Sequence, residues 1–131
     1  MKGLDTNVLA RYLTQDDAKQ SKVATSLIEG LSPEQPGFVS KVVLCELVWV
    51  LESCYGQTRS ELVAVIEQLL KVAELRLEDV DTVRLALADF RSGTADFSDH
   101  LLARGNLAAG CKTTYTFDKQ AGGAPGFTFL R

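Results

Sequence analysis

An α/β fold is what this sequence predicts, with short parallel strands forming a central sheet and helices on both of its faces, a three-layer α/β/α sandwich. Three observations lead there. Short runs rich in β-prone residues alternate along the chain with segments of helical apolar spacing. Ser, Thr or Asp stands where several of those strands hand over to a helix. The length, 131 residues, suits one domain around one core, taken as residues 1–131.

The elements follow in order. The first residues read as a very short strand ending near Asp5, then a helix through Leu13. Over 15–31 the apolar residues Val23, Ala24, Leu27, Ile28 and Leu31 repeat at helical spacing. Gly37-Phe38-Val39 is a strand signal, and Ser40 can cap a helix running to about Ser53. Thr58 can cap the next helix, in which Leu62, Val63, Ile66, Leu69 and Leu70 form a wide apolar face. Leu75-Arg76-Leu77 reads as a third strand, and Val80, Val83, Leu87 and Phe90 make one helical stripe. A further helix starts near Asp96 and ends by Gly110. The Thr- and Tyr-rich stretch 113–117 is a strand, and Phe127-Thr128-Phe129 is the last one. Segments 31–37 and 120–126, rich in Pro and Gly, read as loops.

Composition narrows the function. Hydrophobic residues make up 46% and charged residues 24%, the balance of a globular protein. The formal net charge is −3 and the basic residues are scattered, so any nucleic-acid chemistry must come from a local site. Cys45, Cys54 and Cys111 are odd in number and form no CxxC pair, which disfavours a disulfide framework or a zinc site. Free, mostly buried thiols are expected. The start is too short and acidic for a secretory signal, and the longest apolar run, 42–51, is interrupted by Glu46 and too short for a bilayer. A cytoplasmic protein with no membrane association is expected.

Several carboxylates stand out. Glu46 lies in Val42-Val43-Leu44-Cys45-Glu46-Leu47-Val48-Trp49, a helix apolar nearly all round, where a buried charge is costly unless paired or metal-bound. Asp96 and Asp99 have a good structural explanation as the N-cap and third residue of a helix, where both favour the dipole. Asp5 and Asp118 each follow a strand, where such residues often cap the next helix. As a set they say more. In parallel sheets ligands bind beyond the strands' C-terminal ends. Four acids gathered there would repel one another, at least one would hold its proton unusually tightly, and a hard divalent cation would relieve the strain.

These segments resemble the PIN-domain ribonucleases, in particular the VapC toxins. Met1-Lys2-Gly3-Leu4-Asp5-Thr6-Asn7-Val8-Leu9 resembles the opening strand and turn of that family. Glu46 within Val43-Leu44-Cys45-Glu46-Leu47 resembles its second acidic position, Asp96-Phe97-Ser98-Asp99-His100-Leu101-Leu102-Ala103 its third segment, and Thr116-Phe117-Asp118 its fourth. The order is the family's and the segments span nearly the whole chain. The resemblance implies an endoribonuclease in which Asp5, Glu46, Asp99 and Asp118 hold Mg²⁺ or Mn²⁺, with Asp96 an accessory acid and Thr6 or Asn7 supporting by hydrogen bonds. It also implies an RNA substrate, a homodimer and a cognate, VapB-like antitoxin protein. The ion would make a water more acidic for in-line attack on phosphorus. Arg11, Lys41, Arg91, Arg104, Lys112 and Lys119 are candidates for holding the RNA backbone, although each is an ordinary surface charge by default.

Two other classes fit parts of the pattern. One is a catalytically silent PIN-like module that binds metal or protein. The other is an aspartyl phosphotransfer domain, but the phosphatase pattern needs Asp at both ends of D-x-D, and position 7 is Asn7.

Overall fold

In the computed structural model, which describes residues 1–131, seven helices and five short strands alternate much as expected. They belong to two compact units, Met1–Glu78 and Asp79–Arg131.

In the first unit the strands are β1 (Lys2–Gly3), β2 (Gly37–Val39) and β3 (Leu75–Leu77), and the helices are α1 (Thr6–Thr14), α2 (Ala18–Glu29), α3 (Lys41–Tyr55) and α4 (Arg59–Lys71). The sheet order is β1-β2-β3 with both pairs parallel, Gly3 opposite Phe38 and Phe38 opposite Arg76. Gly37 is closely packed. A Cβ there would come within 2.8 Å of Leu4 Cδ1 and 2.9 Å of Leu31 Cδ1, so a side chain would have to displace those two leucine ends. Each helix of this unit begins on a residue whose side chain accepts from one of its free N–H groups. Asp17 Oδ1 accepts from Gln20 N at 2.9 Å and Ser40 Oγ from Val43 N at 3.2 Å. Thr58 and Glu61 form a reciprocal capping box on α4. Leu9, Leu44, Leu47, Leu51, Leu62 and Ile66 are fully buried and form the core.

The second unit holds α5 (Val80–Ser92), α6 (Phe97–Ala108), β4 (Thr114–Thr116), α7 (Lys119–Gly122) and β5 (Phe127–Phe129). α5 and α6 pack through Phe90 and Phe97, whose rings meet edge to face at 5.6 Å and 79°. An Arg104–Asp89 fork, at 2.6 and 3.0 Å, ties the same two helices. β4 and β5 pair in parallel, Tyr115 opposite Thr128.

The elements depart from the sequence reading in three places. The strands hydrogen-bond as two parallel sheets, of three and two strands, where a single sheet was expected. The 120–126 segment is not all loop, because Asp118 Oδ1 accepts from Gln120 N and Ala121 N and winds the turn of α7 before the glycines take over. On α2 only Ala24 and Ile28 of the apolar helix residues are buried, while Val23 and Leu27 are 67% and 37% exposed. Those two line a shallow groove with Asn7, Val8 and Arg11.

Candidate active site

The acids singled out by the sequence fall into two groups, one in each unit. In the first, β1 and the α1 cap position Asp5. The ladder continues past Gly3 through Leu4 N–H to Phe38 O at 3.0 Å, and the chain then turns into α1 with Asp5 Oδ1 accepting from Thr6 N at 2.8 Å. Asp5 and Asn7 are exposed and Thr6 between them is buried. The Thr6 hydroxyl donates to Glu46 Oε1 at 3.0 Å across 40 positions of chain, so the start of α1 is fastened to the middle of α3 by the very residue that follows Asp5.

Glu46 itself corrects one expectation. It is exposed, not buried. The buried stripe of α3 is Leu44, Leu47, Val48 and Leu51, which leaves Val42, Glu46 and Trp49 on the outer face despite their apolar neighbours in sequence. Glu46 therefore avoids the desolvation cost that made it conspicuous.

The second group is Asp96, Asp99 and Asp118. Asp96 and Asp99 open α6, with Asp99 Oδ2 accepting from Asp96 N at 3.3 Å. Asp118 opens α7 directly after β4. Asp99 is half-buried, and its carboxyl is pushed above the ordinary Asp range. Loss of solvent is the largest cause; the hydrogen bond from Asp96 N opposes it, and the negative charges of Asp96 and Asp118 push it further up. Three acids from two elements thus share one electrostatic neighbourhood. His100, the sole histidine, is fully buried beneath Gly93 and edge-on to Phe90 at 6.3 Å, as befits a packed side chain of the α5–α6 core.

The basic candidates divide sharply. Arg11 is engaged: its guanidinium pairs with Asp16 Oδ1 at 3.0 Å and donates to Gln20 Oε1 at 2.8 Å and the Tyr55 hydroxyl at 3.1 Å. Tyr55 also donates to Asp16, and that bond is the largest cause holding the Asp16 carboxyl below its ordinary range. Arg104 is taken by Asp89. Both were candidates for holding RNA phosphates, with an ordinary surface charge as the default, and both are engaged by carboxylates in the fold. Lys112 and Lys119 are exposed on either side of β4. The cysteines also depart from expectation: Cys45 is half-buried, with its thiol pushed up by burial, but Cys54 and Cys111 are exposed; all three are free.

No three His, Cys, Asp or Glu side chains stand together at metal-ligand spacing in the structure. No helix is long and apolar enough to cross a membrane. The sequence reading missed the exposure of Tyr115 and Phe117 next to Asp118, although the alternation Thr114-Tyr115-Thr116-Phe117 carried the signal.

Known proteins bear on the arrangement. The family model for the PIN domain matches residues 3–122, which takes in all four acidic segments. The chain is similar to the VapC ribonuclease of Aquifex aeolicus (strain VF5), 27% identical over 120 residues that make up 92% of this chain and 89% of that protein. With an α/β architecture of parallel strands and a family match running through both of its units, this chain belongs to the PIN-domain family.

Proposed function

We propose that the chain is a divalent-metal-dependent endoribonuclease, acting as one PIN domain over residues 1–131 and as the toxin of a toxin–antitoxin pair. The family match and the similarity to a protein named a VapC ribonuclease support the nuclease class. The observation that carries the metal reading is Asp99, a half-buried carboxyl pushed toward its protonated form partly by the charges of Asp96 and Asp118. An all-carboxylate donor set suits a hard cation such as Mg²⁺ or Mn²⁺, and crowded negative charge is what such a cation relieves.

In this reading Asp5, Glu46, Asp99 and Asp118 are the ligands, and Asp96 supports Asp99 through its backbone N–H. A bound divalent ion supplies neutralising charge at the scissile phosphate and a more acidic water for in-line attack. The chain's own groups do the rest. Glu46 or Asp118 takes the proton from the attacking water. Thr6 holds the Glu46 carboxylate in one orientation, so that one oxygen is engaged and the other stays available. Asn7, exposed beside Thr6, offers an amide to the substrate backbone. A cytoplasmic location, a homodimer and a cognate antitoxin belong to the same proposal. An acidic site of this kind is open to capture by an arginine from that antitoxin.

The test is cleavage of a single-stranded RNA by the purified chain in Mg²⁺ and after EDTA. Cleavage that disappears with EDTA, returns with Mg²⁺, and is lost in Asp5→Asn and Asp99→Asn is the expected result. Cleavage indifferent to EDTA overturns the metal reading. A chain that cleaves no RNA under any of these conditions is the silent PIN-like module instead.

A further inference from the structure

β4 and the bend that follows it into Asp118 each present one large aromatic side chain to solvent. Tyr115 is 65% exposed and Phe117 is 78% exposed. Thr114 and Thr116 beside them are half-buried, so the segment alternates as a strand with one open face does. Two residues of chain span at most roughly 7 Å, enough for each ring to take a base of its own. Burying these rings against each other or against the core would have been the ordinary outcome, since fully exposed Phe is uncommon in a well-packed domain.

The setting of the rings favours a nucleic acid over a protein. Thr128 of β5, opposite Tyr115, is also exposed, and its hydroxyl lies 2.7 Å from that of Thr113. Hydroxyls thus border Tyr115, while Leu130, 38% exposed and hydrogen-bonded through its N–H to Thr116 O, lies at the Phe117 end. Exposed lysines, Lys112 and Lys119, lie at the two ends of the segment. Aromatic rings on β4 and at its exit, hydroxyl groups beside them and a cation at each end are the parts needed to hold single-stranded RNA, by stacking its bases and neutralising its phosphates. Phe117 is bonded directly to Asp118, so a base seated on it carries its phosphate up to the acid group.

We infer that Tyr115 and Phe117 form a base-stacking platform that positions single-stranded RNA beside Asp118, with Lys112 and Lys119 holding the adjoining phosphates. The inference rests on the ribonuclease reading above and adds residues to it. They are positioning residues: they grip unreacting parts of the substrate and leave the reacting atoms to the acids.

The experiment uses a single-stranded RNA 12-mer carrying 2-aminopurine. Binding is followed by its fluorescence in the full chain with Asp5→Asn, so that the probe is not consumed, and cleavage kinetics are followed in the parent. Quenching on binding is expected, because a stacked 2-aminopurine loses emission. Phe117→Leu and Tyr115→Leu are each expected to weaken binding about tenfold, within the range for loss of one stacked base. In the cleaving parent they raise KM by a similar factor and leave kcat within about twofold. Phe117→Tyr, which keeps a ring, is expected to restore both. Circular dichroism checks that each variant melts like the parent. Unchanged binding and KM in both leucine variants overturn the platform, as does a loss confined to kcat. If the leucine variants instead turn a dimer into a monomer in sedimentation, the face joins two copies of the chain and the platform is wrong. A parent that neither binds nor cleaves the RNA fails the ribonuclease reading itself, a result distinct from any of these.

Discussion

At the scale of single residues, the Thr6–Glu46 hydrogen bond shows how much a small group can organise. Thr6 is buried and its hydroxyl donates to an exposed carboxylate, so the bond fixes Glu46 more than it stabilises the fold. Thr6→Val keeps the shape and removes the donor, and Glu46 can turn to water for the lost bond. Stability is then expected to fall by about 1 kcal/mol or less, the net worth of one ordinary hydrogen bond. On the proposed role of Glu46, RNA cleavage is expected to fall by about tenfold, because a catalytic group held loosely loses much of its orientation. Thr6→Ser, which returns the hydroxyl, should recover most of the rate. A thermal melt and a single-turnover assay measure the two effects separately, and a Thr6→Val enzyme with full activity would remove Thr6 from the site. The same scale explains why Glu46 was misread. Hydrophobic neighbours in sequence imply burial only if they share its face, and Glu46 falls off the Leu44–Leu47–Val48–Leu51 stripe.

Elements were legible where local chemistry and tertiary packing agree. Ser40 and Thr58 were readable as caps because a side-chain oxygen before an apolar helical run has one obvious use, and both accept from the third helical residue as that use requires. The exposure of Val23 and Leu27 was not readable, because periodicity gives the apolar side of a helix without saying how wide a stripe its neighbours will cover. α7 was hidden for another reason: a single turn wound on Asp118 leaves no periodic pattern among glycines. The capping box of α4 yields a prediction at this scale. Thr58→Ala is expected to cost about 1 kcal/mol in a denaturant titration. Its partner Glu61 has its carboxyl held below the ordinary range, first by the Thr58 backbone N–H and then by the Thr58 hydroxyl. A carboxyl with a lowered folded pKa stabilises fully above its unfolded value, and the benefit is lost as pH falls through the folded one. The gap in melting temperature between the parent and Glu61→Gln should therefore be widest near neutral pH and close on acidification below about 4, under the ordinary Glu range. A gap that persists in acid would mean that packing, not charge, holds this turn.

Over the whole molecule, the sequence separates what is written locally from what only folding can arrange. The opening segment and the Asp96-Phe97-Ser98-Asp99 segment were recognisable from short patterns of their own, whereas Glu46 counted only in company with them. The electrostatic link from Asp99 to Asp118 is not local, since it joins the start of α6 to the end of β4 and depends on how the second unit packs. Nor could charge counting tell that Arg11 and Arg104 are committed to Asp16 and Asp89. The same division gives a thermodynamic test that needs no RNA. An ion bound only by the folded chain stabilises it by mass action, about 2.7 kcal/mol at a hundred times its dissociation constant. Mg²⁺ should therefore raise the melting temperature of the parent in a saturable way, and EDTA should reverse the rise. Asp99→Asn removes a crowded charge, so without metal it is expected to melt within about 0.5 kcal/mol of the parent, on the stable side. It should nevertheless lose most of the Mg²⁺-dependent rise, and Asp5→Asn should lose it as well. Loss in both variants is what the proposed ligand set requires, because each acid would then contribute to the same binding free energy. A Mg²⁺ response that survives in either variant would mean that the ion sits elsewhere on the chain, and the four acids would then need separate explanations as helix caps and surface charges.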